Sequence, residues 1–459
     1  MTSAAGACLP PGPRGGFLVG NALDFAEDPL GFLRRCADRY GDLSRIARHT
    51  YLASHPELVR QVFQDRDGVY AKVAPGTTRT DTSAFPASVM NSEGGEWRAK
   101  RQTLQGVFHS MQVRDGVARA LAAIGPSLDG WRELPPDRDI RREMEDLCLR
   151  VGGDVLLAAP IERDEARHFV ATVDAIMGLT RSPVRFPRWL PTPGNLRLRR
   201  AHARLDRGLD RIVARHRAGP ADRRPCLLGA LLHADPGGGS AWLRDELATM
   251  VMSGLEPMAD GLTWTLHLLA GHPDAQRRVL AELQARLGER APLDPDAVAD
   301  LRYAGAVVRE SLRLYPPAWM TGRIAMRDTR LGDFDVPAGT QVVVSQWVSH
   351  RDPRYFAAPD TFAPERWLPP RRQADPPRYA YFPFGGGARH CVGGALAMAQ
   401  MTAVIAAIVR AFEVAPAADA QPRPFPALVL RPLGVRLDLT ARARCRRDDP
   451  HATRAGDPR

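Results

Sequence analysis

Lysine is almost missing from this 459-residue chain: Lys72 and Lys100 are the only two, and arginine supplies 61 of the 63 basic residues. Against 52 acidic residues the formal net charge is +11. A positive balance of that size suits nucleic acid, an anionic membrane or an acidic protein. Arginine in place of lysine, beside abundant alanine, reads instead as codon bias. Neither a zinc-finger spacing nor an aromatic–glycine RNA-binding signature accompanies it, so no nucleic-acid partner is expected. Cysteine is sparse too. Cys8, Cys36, Cys148, Cys226, Cys391 and Cys445 are scattered, with no CxxC pair. That argues against a disulfide framework and for reduced thiols in a cytoplasm. The apolar stretch around Phe17–Gly20 falls far short of the ~20 residues of a membrane span. A soluble, cytoplasmic chain without signal peptide or membrane span is expected. Internal repeats are lacking, and no linker cleanly divides the chain.

What is present reads as helix punctuated by glycine and proline. Asp28–Tyr40 is amphipathic and ends at Gly41, and Glu57–Phe63 begins another helix. Tyr70–Gly95, rich in Thr, Pro, Ser and Gly, is expected to be a long loop, and such loops are often functional. From Glu96 the pattern is largely helical as far as Gly288. Arg181–Gly194 holds Pro183, Pro187, Pro191 and Pro193 and is irregular. Asp245–Leu269 is a long apolar helix, expected to be interrupted at Gly254–Pro257. Tyr303–Tyr315 is helical and stops at Pro316-Pro317. Leu331–Thr340 punctuates a hairpin leading into a strand at Gln341–Val344, and Val392–Phe412 is a helix dense in Ala and Gly. The expected fold class is mainly α with a small β region. Residues 1–440 are taken as one domain, and 441–459 as a charged, disordered tail.

One stretch carries the chemistry. Phe384-Gly-Gly-Gly-Ala-Arg-His-Cys391-Val-Gly393 delivers a cysteine on a glycine-rich loop to the start of an apolar helix. Backbone N–H groups and the helix dipole favour a thiolate there. Glycines let the backbone lie close to a flat macrocycle. Arg389 can meet a carboxylate, and Gly393, Gly394, Ala395 and Ala397 leave room beneath a broad ligand. A lone cysteine after glycines is ordinarily a small buried hydrophobe. The whole stretch, however, resembles the haem-binding loop of the cytochrome P450 family, Phe-x-x-Gly-x-Arg-x-Cys-x-Gly, through Phe384, Gly387, Arg389, Cys391 and Gly393. The resemblance implies the cytochrome P450 fold, haem b with its iron on Cys391, and Arg389 at a haem propionate. An axial thiolate pushes electron density onto iron and favours O–O cleavage.

Further segments match the family in order. Glu310 and Arg313 form an i,i+3 pair, which alone would read as a solvated contact worth roughly a few tenths of a kcal/mol. Arg366, in Pro364-Glu-Arg-Trp367, matches the arginine that joins this pair in the family, and the implied role is a structural lock on the cysteine side of the haem. Trp97 and Arg101 stand one helical turn apart and match a Trp-x-x-x-Arg that contacts a propionate. Arg323, ten residues after Arg313, matches another propionate arginine. The resemblance runs from about Pro10 to Val435.

The long helix departs from the pattern. The family usually has Ala/Gly-Gly-x-Asp/Glu-Thr, and this chain has Ser253-Gly254-Leu255-Glu256-Pro257. The acid is present, but Pro257 stands in place of the threonine whose hydroxyl helps deliver protons to bound oxygen. Proline lacks the N–H that would bond the carbonyl of Ser253. That carbonyl should recruit water into the groove. Glu256, Ser253, that water or a substrate hydroxyl are expected to complete the proton path. The plainer alternative is a helix kink tolerated by an ordinary hydroxylase.

The resemblance implies a monooxygenase that inserts one atom of O2 into a C–H bond or epoxidises, reducing the other atom to water. No flavin or iron–sulfur segment is evident, so a separate ferredoxin-type donor is expected, and an acidic donor suits the positive charge. In the family Tyr70–Gly95, Arg181–Gly194, Ser253–Pro257 and Ala318–Thr321 line the pocket. Met252, Leu255, Met258, Trp319 and Met320 suggest an apolar small molecule, such as a terpenoid of secondary metabolism, and serve equally as core. A monomer is expected. Three rivals stand beside this reading: a haem-thiolate isomerase, dehydratase or peroxide-using enzyme; a non-catalytic haem protein; and a basic nucleic-acid binder.

Overall fold

The computed structural model describes residues 8–442 apart from 17–19, 73–84, 111–112, 134, 136, 181–185, 188, 220–225, 236–240, 289–290 and 370–375. Its axis is the helix Ala241–Ala270, buried on most of its faces from Leu243 to Ala270. A helix buried on most of its faces belongs inside a large core. Ile140–Gly152, Arg302–Leu314 and Gly394–Ala411 pack around it. The expected interruption at Gly254–Pro257 does not occur: the helix runs unbroken through Pro257. One missing N–H removes one hydrogen bond, and the packed neighbours Leu255, Met258 and Ala259 hold the turn.

Local signals place most other elements where the sequence put them. The helix Pro29–Tyr40 starts under the Asp28 side chain, which accepts the Gly31 N–H, and stops at Gly41 with φ 87°. Pro56–Gln64, Arg302–Leu314 and the strand Gln341–Val344 likewise match. Gly394–Ala411 is the one described helix long and apolar enough to cross a membrane, and most of it is buried in the core, as a core helix is. The five cysteines among the described residues are free thiols.

The β region is small and positions the site. A five-stranded sheet runs Leu43–Ala47, Thr50–Ala53, Gln341–Val344, Thr321–Ala325, Tyr70–Ala71. Thr50–Ala53 and Gln341–Val344 are parallel and the other pairs antiparallel. Two corrections fall at loop boundaries. Tyr70–Gly95 is not all loop: Tyr70 and Ala71 pair with Ala325 and Ile324, Val89–Asn91 is a 3-10 turn, and residues 73–84 lie outside those described. The helix that follows starts at Gly94. At the other end Ala441 closes the strand Arg436–Ala441 opposite Phe412, and Arg442 donates to the carbonyls of Val409 and Phe412. The rest of the expected tail, 443–459, lies outside the described residues.

Candidate active site

The loop before Gly394–Ala411 is built around glycine. Gly387 has φ +67°, and a side chain there would sit 1.8 Å from the Phe63 carbonyl oxygen, so only glycine fits. The Cys391 N–H closes the loop on the Phe384 carbonyl at 2.9 Å. Cys391 keeps solvent-accessible surface at the end of the loop. Burial raises its pKa, while the Gly393 N–H donating to the sulfur and the charge of Arg101 pull it down. The expected helix-start donor is therefore present at Gly393.

Four cations face this region. Arg101 lies one turn after Trp97, and its Nε and Nη2 are buried without a partner. Burial lowers the Arg101 pKa, and Arg389 lowers it further. Arg389 stacks on Trp97 at 4.6 Å and donates to the Ser92 carbonyl at 2.8 Å and the Glu93 carboxylate at 2.5 Å. Arg323 is buried with its Nη1 on the Gly322 carbonyl, its pKa pushed down to about 10 by burial and Arg389. Sequence reasoning missed the fourth. Lys72 follows the Tyr70–Ala71 strand, one register step from Arg323. Its ammonium lies 3.7 Å from the Met90 sulfur, and burial with Arg323 and Arg389 pushes its pKa down to about 8. Glu93 is the carboxylate among them, accepting also from the Lys72 backbone N–H at 2.8 Å. Unpartnered buried guanidinium N–H groups are rare and call for an acceptor. Four cations against one carboxylate fit the two propionates of a haem. The only signal for Lys72 in the sequence was its rarity.

Ser253 and Pro257, four residues apart, share a face of the central helix, with Ser253 open and Pro257 half-buried. The Ser253 hydroxyl reaches back 3.4 Å to the Met250 carbonyl. Glu256 turns to another side. Its Oε1 accepts from Arg141 at 2.7 Å and from Arg431 at 3.0 and 2.6 Å. Its carboxylate is thus held by two arginines rather than lying free in the groove. Of the expected pocket residues, Trp319 is core, its indole donating to the Ala427 carbonyl at 2.9 Å. Leu255 packs against Gly152, and Met320 is 37% exposed.

Glu310 and Arg313 are fully buried. Arg313 Nε and Nη2 grip Glu310 at 2.9 and 2.8 Å. Arg366 and the Trp367 indole each donate to the same carboxylate at 2.9 Å. Arg313 also donates to the carbonyls of His350, Pro359 and Thr361. His350 in turn accepts the Phe382 N–H at 2.9 Å, two residues before Phe384. The triad therefore anchors the base of the cysteine loop.

Comparison with known proteins agrees with this geometry. The Cytochrome P450 family model matches residues 10–439. The cyclooctat-9-en-7-ol 5-monooxygenase of Streptomyces melanosporofaciens is 34% identical over 87% of this chain and 88% of its own length. The cyclooctatin synthase of the same organism is 33% identical over 91% and 92%. The pentalenene oxygenase of Streptomyces avermitilis is 29% identical over 93% and 96%. The retinoic acid bound cyanobacterial CYP120A1 superposes with TM-score 0.81 at 22% identity, covering 95% of this chain and 100% of that one. The chain belongs to the cytochrome P450 family. It is a haem-thiolate monooxygenase, with haem b bound through a cysteine and O2 as oxidant.

Proposed function

We propose that this enzyme oxygenates a polycyclic, terpenoid-like substrate, with Cys391 as the iron ligand and a separate ferredoxin-type protein as electron donor, working as a cytoplasmic monomer. The observation that carries the site is the sulfur of Cys391 under the Gly393 N–H, with Arg101 lying unpartnered in the same site. Lys72, Arg101, Arg323 and Arg389 would hold the propionates, with Trp97 supporting Arg389. The chemistry that haem would supply when bound is activation of O2 for insertion into a substrate C–H bond. Ser253 and Pro257, on one face of the central helix, would line the groove for oxygen. The substrate class rests on the names of the relatives, among them a cyclooctat-9-en-7-ol 5-monooxygenase and a pentalenene oxygenase.

The test begins with the reduced carbon-monoxide difference spectrum, which is expected to be of thiolate type in the wild type and lost in Cys391→Ser. An unchanged spectrum in that variant would overturn the ligand assignment. Turnover of polycyclic hydrocarbons with a ferredoxin donor then tests the reaction. Pro257 in the place of the alcohol favours one second reading, a peroxide-driven enzyme, which would turn over with peroxide and no donor.

A further inference from the structure

The excess of positive charge is concentrated on one helix. Pro193–Ala218 carries eight arginines against two acids, Asp206 and Asp210, a surplus of six in a chain of net charge +11. The signs are sorted by face. Leu198, Ala201, Leu205, Leu209 and Ile212 bury one side in the core. Arg197, Arg200, Arg204, Arg207 and Arg211 recur at intervals of three and four residues and share one exposed flank. Asp206 and Asp210 turn to the other flank, where Arg244 of the central helix meets Asp210 at 2.9 Å. Arg211 reaches Glu165 at 3.6 Å. Among the described residues, Arg197, Arg200, Arg204 and Arg207 meet no carboxylate at all. They span about 15 Å of helix. Their field is felt by His168 on the neighbouring helix Arg163–Thr180, whose pKa is lowered by burial and by Arg211, Arg204 and Arg207. A solvated helix face ordinarily alternates its charges, so a block of one sign calls for an anionic partner.

Apolar side chains stand out at the same end of the molecule. In the segment leading into Pro193, Trp189 is 72% exposed and Phe186 52% exposed. That segment is pinned: buried Asn195 donates to the carbonyls of Pro187 and Leu190, each at 2.9 Å. Leu428, 57% exposed, tops the turn between the strands Arg423–Pro426 and Leu430–Leu433. Its neighbour Val429 packs on Met177, in the last turn of Arg163–Thr180. Single exposed apolar residues mean little. Three of them beside the start of an unpaired arginine stripe form a two-part surface.

We propose that this surface docks on an anionic phospholipid bilayer. Phe186, Trp189 and Leu428 enter the headgroup region, and Arg197, Arg200, Arg204 and Arg207 lie along the phosphates. Guanidinium groups match phosphate with paired N–H donors, and Trp favours the membrane–water boundary. Neither signal is strong alone, and stable attachment takes two together. The apolar side of Pro193–Ala218 is spent on the core, so the attachment is peripheral. Nucleic acid or an acidic protein would satisfy the arginines and leave the exposed Trp, Phe and Leu without a use. The docking does not depend on what the enzyme oxygenates. That it would hold the enzyme where an apolar substrate partitions rests on the function proposed above.

The test is co-sedimentation of the haem-loaded full chain with vesicles of phosphatidylglycerol and phosphatidylcholine, against phosphatidylcholine alone. Binding is expected to the anionic vesicles only and to weaken with salt. Each stripe arginine changed to Gln should weaken partitioning about fivefold. Arg197→Gln with Arg200→Gln should therefore lose about 25-fold, while Arg199→Gln with Arg217→Gln, on the other flank, should lose far less for the same change in net charge. Brominated lipid should quench wild-type fluorescence, and Trp189→Phe should remove that quenching. All four positions of the stripe are exposed, so haem content and the carbon-monoxide spectrum should hold in every variant. Absence of binding to anionic vesicles at low salt overturns the proposal, as does equal loss in the two double variants. Equal binding to DNA without Trp189 quenching would mark a general polyanion surface and overturn the bilayer assignment. A wild type that binds vesicles but oxygenates no polycyclic substrate would leave the docking intact and sink the functional reading instead.

Discussion

Arg313→Ala probes whether the buried triad is structure or chemistry. In the wild type Arg313 gives two hydrogen bonds to Glu310 and donates to the carbonyls of His350, Pro359 and Thr361. Truncation leaves Glu310, with no exposure, on Arg366, Trp367 and the Ala363 N–H. Breaking a buried pair by removing one partner costs about 3–5 kcal/mol, and each orphaned buried carbonyl adds roughly 1–3 kcal/mol unless water reaches it. Arg366 offsets part of the first term, so a net loss on the order of 5 kcal/mol is expected. Total stability of folded domains is about 5–15 kcal/mol, so the variant should be insoluble or marginal. The loss should reach the haem site, because His350 links the triad to Phe382. The assay is chemical unfolding followed by circular dichroism, together with haem per protein. A normal unfolding midpoint and full haem content with turnover alone abolished would refute the structural role.

The remaining predictions concern the site itself. Arg101→Ala removes the cation with unpartnered nitrogens and should weaken haem retention more than thermal stability of the apoprotein, read by haem transfer to apomyoglobin; equal loss of both would make Arg101 a packing residue. Glu246 is fully buried, accepts the Val89 N–H at 2.7 Å, and has its pKa pushed up to about 7 by burial. Because the folded state keeps this proton where the unfolded chain has lost it, stability should fall as pH rises from about 4.5 to about 7. Glu246→Gln should flatten that slope by a few kcal/mol (order of magnitude), and an unchanged pH–stability profile would refute it. Pro257→Thr restores an N–H for the Ser253 carbonyl and adds an alcohol. It should raise stability and change product per reducing equivalent at constant haem content, and no change in coupling would remove this position from the proton path.

The cysteine loop was legible as a motif because it is contiguous: Phe384 to Gly393 brings cysteine, glycines and arginine within ten residues. The triad was legible only through the resemblance, since nothing in Glu310 and Arg313 themselves says that they are buried. Lys72 was not legible, because its place beside Arg323 is made by the pairing of Tyr70–Ala71 with Ile324 and Ala325, a register that a loop-like composition hides. The partners of Glu256 come from 115 and 175 residues away. Such ion pairs leave no periodic trace in a sequence. Pro257 misled in the opposite direction: the local rule against proline in helices lost to the packing of a mostly buried helix.

The two ends of the site are unbalanced in opposite senses. Around the cysteine loop, Lys72, Arg101, Arg323 and Arg389 outnumber Glu93, and the pKa of every one of these cations is pulled down. Beside the oxygen groove, acids outnumber arginines, and Glu145 and Asp260 are pushed up. Buried charge of one sign is expensive until something neutralises it. At the first end haem propionates would be the neutralising groups, and their binding would add to folding and tie stability to haem loading. At the second end burial favours a proton on the acids in the same way. The same desolvation therefore favours a bound anion at one end and a neutral acid at the other.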